Sequence, residues 1–204
     1  SLLSFSGLTF YGGLICAGIA IIYYAKRKKI KVIHLADAMA PTMMLAYALG
    51  RIGCQVSGDG DWGIINIRPK PFGWLPDWMW AYRYPHNVIN EGVPIRGCVG
   101  PYCNQLAYPV YPTSLYEIVV CLFLFAVLWS LRKRIKIAGQ LSGLYLIFNG
   151  IERFFIEHIR VNTKYEFLPF HPTQAEIISL LLIIAGILMI QKKKKWFQRG
   201  NNLA

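Results

Sequence analysis

The stretch FSGLTFYGGLICAGIAIIYYAKRKKIK, residues 5–31, decides the fold class, because an almost uncharged apolar run ends abruptly in a block of lysine and arginine. About 20 mostly apolar residues suffice to cross a hydrocarbon core roughly 30 Å thick. Basic residues collect on the cytoplasmic side of such crossings. The same pairing recurs at 111–131, followed by RKRIK (132–136), and at 174–190, followed by KKKKWFQR (192–199). Two weaker runs lie between them. The run at 32–50 is interrupted by Asp37 and Pro41, and the run at 137–159 carries Asn149, Glu152, Arg153 and Glu157.

Composition agrees: of 204 residues, 55% are hydrophobic and 16% charged, an apolar balance for a globular chain of this length. The net charge of +12 would suggest nucleic acid in a soluble protein. Here the basic clusters follow the first, third and fifth runs, so alternation puts all three on one face and topology accounts for the basicity; no nucleic-acid partner is expected. The expectation is an all-α polytopic membrane protein, a single transmembrane domain over 1–204. Five transmembrane helices would carry an irregular extracytoplasmic lobe, 51–110, between the second and third. The N-terminus and 160–173 then lie outside and the C-terminus inside. Lysine and arginine follow the first apolar run instead of preceding it, so no signal peptide is expected.

Most of the eleven prolines fall in the lobe and argue against long helices there. Short strands are expected at GIINI (63–67), with Trp74, Trp78 and Trp80 at headgroup level. Cys98 and Cys103, on the expected oxidising side, can pair. Cys16 and Cys121 lie in apolar runs, where cysteine reads as a small apolar residue.

Ionisable groups at membrane depth are costly, about 3 kcal/mol each on insertion scales, and so mark candidate sites. Four clusters qualify. GRIGCQVSGDGDWG (50–63) places Arg51 at the end of an apolar run, among glycines that would leave backbone amides open to a phosphate, with Asp59 and Asp61 nearby. YPTSLYEI (111–118) reads as a helix start, Thr113 or Ser114 capping, with Glu117 just inside. In NGIERFFIEHIR (149–160), Asn149, Arg153, Glu157 and Arg160 share one helical stripe, and Glu157 is spaced to pair with both arginines. FYGGLICAG (10–18) offers Tyr11 and the pair Gly12 and Gly13, although a glycine pair inside a span more often serves helix packing than a site. Arg51 and Arg153 could clamp one phosphate between them.

Taken in order, FYGGLI, GRIG with GDGDWG, YPTSLYE and ERFFIEHIR resemble the signature segments of bacterial prolipoprotein diacylglyceryl transferases, over nearly the whole chain. The resemblance implies an inner-membrane enzyme that moves the diacylglyceryl group of phosphatidylglycerol onto the lipobox cysteine of a prolipoprotein. Its partners would be phosphatidylglycerol, the lipobox peptide and membrane lipids, without cofactor or metal. Seven spans are usual in that family, so two would precede the five seen here. By motif, Arg51 and Arg153 match the family's essential arginines. Tyr11 would hydrogen-bond near the reacting centre, where the family usually has histidine. Gly12, Gly13, Asp59, Asp61, Gly63, Tyr116, Glu117, Asn149, Glu157 and Arg160 would bind substrate, with Glu157 and Arg160 holding Arg153. Cys54 and Gln55 replace a usual Asn and Phe, and Asp59 or Asp61 stands for a usual Glu. Two other readings remain at this point: a phosphatidylglycerol-binding relative without turnover, and a small transporter.

Overall fold

The computed structural model of the chain describes residues 5–160 and 174–201. The side chains of Tyr11 and of the basic cluster 192–199 lie outside the described residues, as does the connection 161–173. In chain order the elements are α1 (Phe5–Arg27), α2 (Val32–Ser57), α3 (Asp77–Trp80), β1 (Val93–Pro94), β2 (Asn104–Gln105), α4 (Thr113–Leu131), α5 (Gln140–Glu157) and α6 (Gln174–Asn201). Among the described residues, α2 and α4 are long and apolar enough to cross a membrane, and α6 holds a shorter apolar run, Ala175–Gln191. The charges of Glu152, Arg153 and Glu157 set α5 apart from them.

Helix α2 does not stop at Gly50. It runs on through GRIGCQVS and closes at Gly58, whose left-handed φ of 62° turns the chain while its N–H bonds the Cys54 carbonyl. Gly50 and Gly53 are therefore helical, and their amides are not the open phosphate cradle that glycine content suggested. Arg51 is consequently held by a regular helix.

The helical core forms where Ala40, Met44 and Ala48 of α2 meet Cys121 and Leu128 of α4 and Leu141 of α5. At one end of this bundle Asp37, which only weakened its apolar run as read in sequence, receives the N–H groups of Gly139 (2.5 Å) and Ser142 (2.8 Å) and the Ser142 hydroxyl (2.7 Å). It caps α5 from another helix and satisfies amides that the first turn leaves without partners. Helices α5 and α6 are the most closely joined pair. A methyl group on Gly143 would lie 2.9 Å from the Gly186 carbonyl, and one on Gly150 would lie 2.7 Å from the Ser179 carbonyl. Small residues let the two backbones approach where larger ones would separate them.

Between α2 and α4 the chain forms the lobe, around Trp62, Tyr84, Leu106 and Val110, with Tyr82 packed edge-on to Tyr84 at 4.7 Å. Among the described residues GIINI makes only single bridges, Gly63 to Arg160 and Ile65 to Val110, and the one two-stranded ladder is β1 with β2. The expected strands fail there because the partners available to Gly63 and Ile65 belong to different segments, which bars a continuous ladder. Buried Asn87 knits the lobe, donating to the carbonyls of Tyr84, Glu91 and Asn104 and accepting from the Glu91 N–H. Cys98 and Cys103 form a disulfide. Trp74 and Trp78 are exposed, whereas Trp80 turns inward, donating to the Arg68 carbonyl and meeting Tyr111 edge-on.

Candidate functional site

At the end of the bundle opposite Asp37, the last turns of α2 and α5 and the first turns of α4 converge beneath the lobe. Arg51 projects from α2 and is gripped on all sides. Its Nη1 pairs with the Asp61 carboxylate, its Nε lies 2.5 Å from Glu117 Oε2, and its Nη2 donates to the Tyr47 hydroxyl at 3.1 Å. Tyr47, one turn earlier on the same helix, also places its ring 4.9 Å from the guanidinium carbon, close enough for a cation–π contact.

Glu117, almost completely buried in the second turn of α4, uses its other oxygen for Arg153 of α5, whose Nη1 is 3.6 Å away. Arg153 Nη2 lies 3.9 Å from Glu157. Two arginines distant in sequence thus face one carboxylate. The ladder expected along α5 is only partly formed: helix geometry ends at Glu157, and Arg160 pairs with the Asp61 carboxylate. Asp61 therefore bridges Arg51 and Arg160. Asp59 is exposed, accepts the Asp61 N–H at 3.3 Å and hydrogen-bonds the Cys54 thiol, so of the two aspartates it is Asp61 that faces the arginines.

Thr113 and Ser114 do not cap α4. Pro112 occupies the cap position, and both hydroxyls donate to the Asp61 carbonyl at 2.9 Å, hanging the Asp61 loop from the start of the helix. Gly63 is required by close approach. A methyl group there would sit 2.6 Å from the Ile159 carbonyl and 2.9 Å from Thr113 and Tyr111. Its N–H bonds the Tyr111 carbonyl, and the Ile64 N–H bonds Ile159, so this strip joins loop, α4 and the end of α5.

The other expected residues divide. Tyr116 gives its hydroxyl to the Met79 carbonyl at 2.9 Å, tying α4 to the lobe. Asn149 lies one turn deeper than Arg153 on the same face of α5 and is half-buried. Gly12 and Gly13 are exposed with open space around them, so the pair does not pack a helix among the described residues. Cys54, replacing the usual Asn, has its sulfur 3.8 Å from Arg51. Gln55, replacing the usual Phe, accepts a 2.8 Å hydrogen bond from Tyr84, whose phenol burial pushes well above its usual range and so keeps as a donor. One thiol and two carboxylates, from Cys54, Asp59 and Asp61, come within 4.8 Å of one another. Both Asp61 oxygens are engaged by arginines, which leaves that group a poor cation site.

Sequence reasoning missed Tyr47 and Glu152. Tyr47 was discoverable, since residues four apart share a helix face. Glu152 had no such signal: its carboxyl is buried, and neither oxygen has a hydrogen-bond partner among the described residues.

A family model described as prolipoprotein diacylglyceryl transferase matches residues 2–192. Among curated proteins, the chain is 30% identical over 193 residues to the phosphatidylglycerol–prolipoprotein diacylglyceryl transferase of Buchnera aphidicola subsp. Acyrthosiphon pisum (strain Tuc7), covering 91% of this chain and 64% of that protein. It is 27% identical to the protein of the same name from Leptospira interrogans serovar copenhageni (96% and 62% covered). It is 26% identical to that of Xylella fastidiosa strain M12 (90% and 62%). The chain thus spans slightly less than two thirds of the length of these relatives. With a match along almost its whole length, and three of the four signature segments folded into one arginine–carboxylate cluster, the chain belongs to the prolipoprotein diacylglyceryl transferase family.

Proposed function

We propose that the protein of which this chain forms the site transfers the diacylglyceryl group of phosphatidylglycerol to the lipobox cysteine of a prolipoprotein. The sulfur attacks the terminal glyceryl carbon of the diacylglyceryl group, and a thioether bond forms. The carbon–oxygen bond to phosphate breaks, its electron pair leaves on the phosphate oxygen, and glycerol phosphate departs. The thiol proton passes to a base. The chemistry requires positive charge where the leaving phosphate gains its second negative charge.

One observation carries the reading: Arg51 and Arg153, on separate helices, meet at the single buried carboxylate of Glu117. With Arg160, Asp61 and Glu157 the cluster holds three cations and three anions, so an entering phosphate must displace a carboxylate from an arginine. Arg153 is where displacement is easiest, because its contacts are the longest, its Nη1 makes no hydrogen bond among the described residues, and it is a quarter exposed. Arg153 would engage the phosphate first, and Arg51, fixed by Tyr47, Asp61 and Glu117, would supply a rigid second guanidinium. Asn149, Glu157, Arg160, Asp61 and Gly63 position these groups, and Tyr11 of α1 would reach the reacting centre.

The membrane setting follows the same proposal. In a bacterial inner membrane, five crossings place the arginine end of the bundle toward the outer leaflet, with the lobe outside. Support comes from the basic residues 26–31, at and just past the end of α1, and 132–136, just past the end of α4, both remote from the site.

The test uses the full-length protein in phosphatidylglycerol-containing bilayers with a lipobox peptide, read by mass spectrometry for the thioether-linked lipid. The wild type should form it. Arg51→Gln and Arg153→Gln should each lower the rate by about 100-fold or more, the usual scale for removing one charge-stabilising donor. A folded wild type that binds phosphatidylglycerol but forms no thioether would overturn the transfer reading in favour of binding alone.

A further inference from the structure

Helix α5 meets its two neighbours in opposite ways. Against α6 the glycines leave no space. Toward α4 a cavity of about 330 Å³ remains, lined by Val120 and Leu124 of α4 and by Phe148, Ile151, Phe155 and Ile156 of α5. These six side chains are hydrocarbon. The seventh lining residue is Glu152, 5% exposed, with no hydrogen-bond partner for either oxygen among the described residues. A polar group buried without a partner is costly, and nothing else in the lining can satisfy it.

The position of the cavity indicates what does. On α4, Val120 and Leu124 lie one and two turns further from the lobe than Glu117. On α5, which runs the other way, Glu152 directly precedes Arg153 and Phe148 lies a turn deeper. The cavity therefore starts beside the arginine–carboxylate cluster and extends into the bundle at about 1.5 Å per residue. A lipid whose phosphate sits at Arg153 would carry its ester groups to the level of Glu152 and its chains past Val120, Leu124 and Phe148. The space opens on the side of the bundle, where Val120, Ile151 and Phe155 are exposed, and its hydrocarbon lining and volume of about 330 Å³ suit a length of acyl chain.

We propose that this cavity holds one ester-linked acyl chain of the glycerolipid substrate, with the O–H of a protonated Glu152 carboxyl donating to the ester carbonyl at its mouth. The inference rests on the phosphate-binding reading above and adds to it a residue that recognises the linkage below the phosphate. Glu152 belongs to the binding surface and takes no part in bond making.

The experiment compares two probes in nanodiscs of a zwitterionic host lipid: phosphatidylglycerol with ester-linked chains, and its analogue with ether-linked chains, which has the same headgroup but lacks the carbonyls. Retention of each by the full-length protein is measured at equilibrium. The wild type should favour the ester by about fivefold, the scale of one net hydrogen bond. Glu152→Leu should reduce the ratio to near one without loss of ether-lipid binding, and Glu152→Gln should keep most of the preference. A diazirine at mid-chain of the ester lipid should label Val120, Leu124 or Phe148, and Leu124→Trp, which fills the cavity, should abolish that label. An ester preference that survives Glu152→Leu, or labelling confined to other helices, would overturn the inference while leaving the phosphate reading intact. Retention of both lipids that ignores Arg51 and Arg153 would overturn both.

Discussion

Glu117 has guanidinium groups on two sides and almost no contact with solvent. Replacing it with glutamine keeps the shape and removes the charge, leaving Arg51 and Arg153 facing each other across a neutral amide. Breaking a buried pair from one side typically costs about 3–5 kcal/mol. Glu117→Gln should therefore lower the thermal midpoint in detergent well below that of the wild type; an unchanged midpoint would show that the arginines find water instead. Asp59→Asn should be silent in the same assay, because Asp59 is exposed and an amide oxygen can still accept the Asp61 N–H. Arg51, Glu117, Arg153 and Glu157 stood out in the sequence as candidates because charge in an apolar run is physically expensive, and the structure brings the four together. Glu152 was visible as a letter in the same motif, yet what distinguishes it is a missing partner, which only the arrangement of α4 against α5 reveals.

Helices and turns obey the same distinction between local and distant causes. The helical runs could be anticipated from apolar length, with ends misplaced by a few residues. The apolar run at 174–190 stops eleven residues short of the end of α6, and the misplaced end of α2 arose because Gly50 and Gly53 looked like a loop although Gly58 is the residue that stops the helix. Asp37 could not be interpreted locally, since its partners Gly139 and Ser142 are on another element. Its cap is testable. Asp37→Ala should destabilise the fold by about 1–2 kcal/mol, the range for losing a helix cap, as read from chemical denaturation in mixed micelles. The glycines separate by environment as well. Gly150→Val should disrupt the α5–α6 contact and lower the thermal midpoint by several degrees, whereas Gly12→Ala should leave it unchanged, because space around Gly12 is open. If Gly12→Ala unfolds the protein, α1 has a packing partner beyond those described.

At the scale of the molecule, the proposed orientation makes opposite ends of the bundle accessible from opposite compartments. In a background lacking Cys16, Cys54 and Cys121, Ile67→Cys in the lobe, 80% exposed, should react with an impermeant maleimide added to intact spheroplasts. Lys133→Cys, beyond the far end of α4, should react only after the membrane is opened. The reverse pattern would invert the topology. The lobe was recognisable as irregular from its prolines, but its organisation was not, because Asn87 assembles it through carbonyls spread over several turns and Trp80 turns inward to serve the Arg68 carbonyl.

The charges of α5 also bear on how such a chain is made. A helix with Glu152, Arg153 and Glu157 partitions poorly into a bilayer by itself, at about 3 kcal/mol per charge near its centre. When α5 leaves the ribosome, however, Asp61 and Glu117 have already been synthesised and can receive Arg160 and Arg153, and α6 follows with a surface shaped for its glycines. On the proposed topology, insertion of α5 is thereby tied to docking. A substitution at Glu117 should appear first as slippage of α5 during biogenesis, detectable by glycosylation tags placed after Arg160, before any purified protein is assayed.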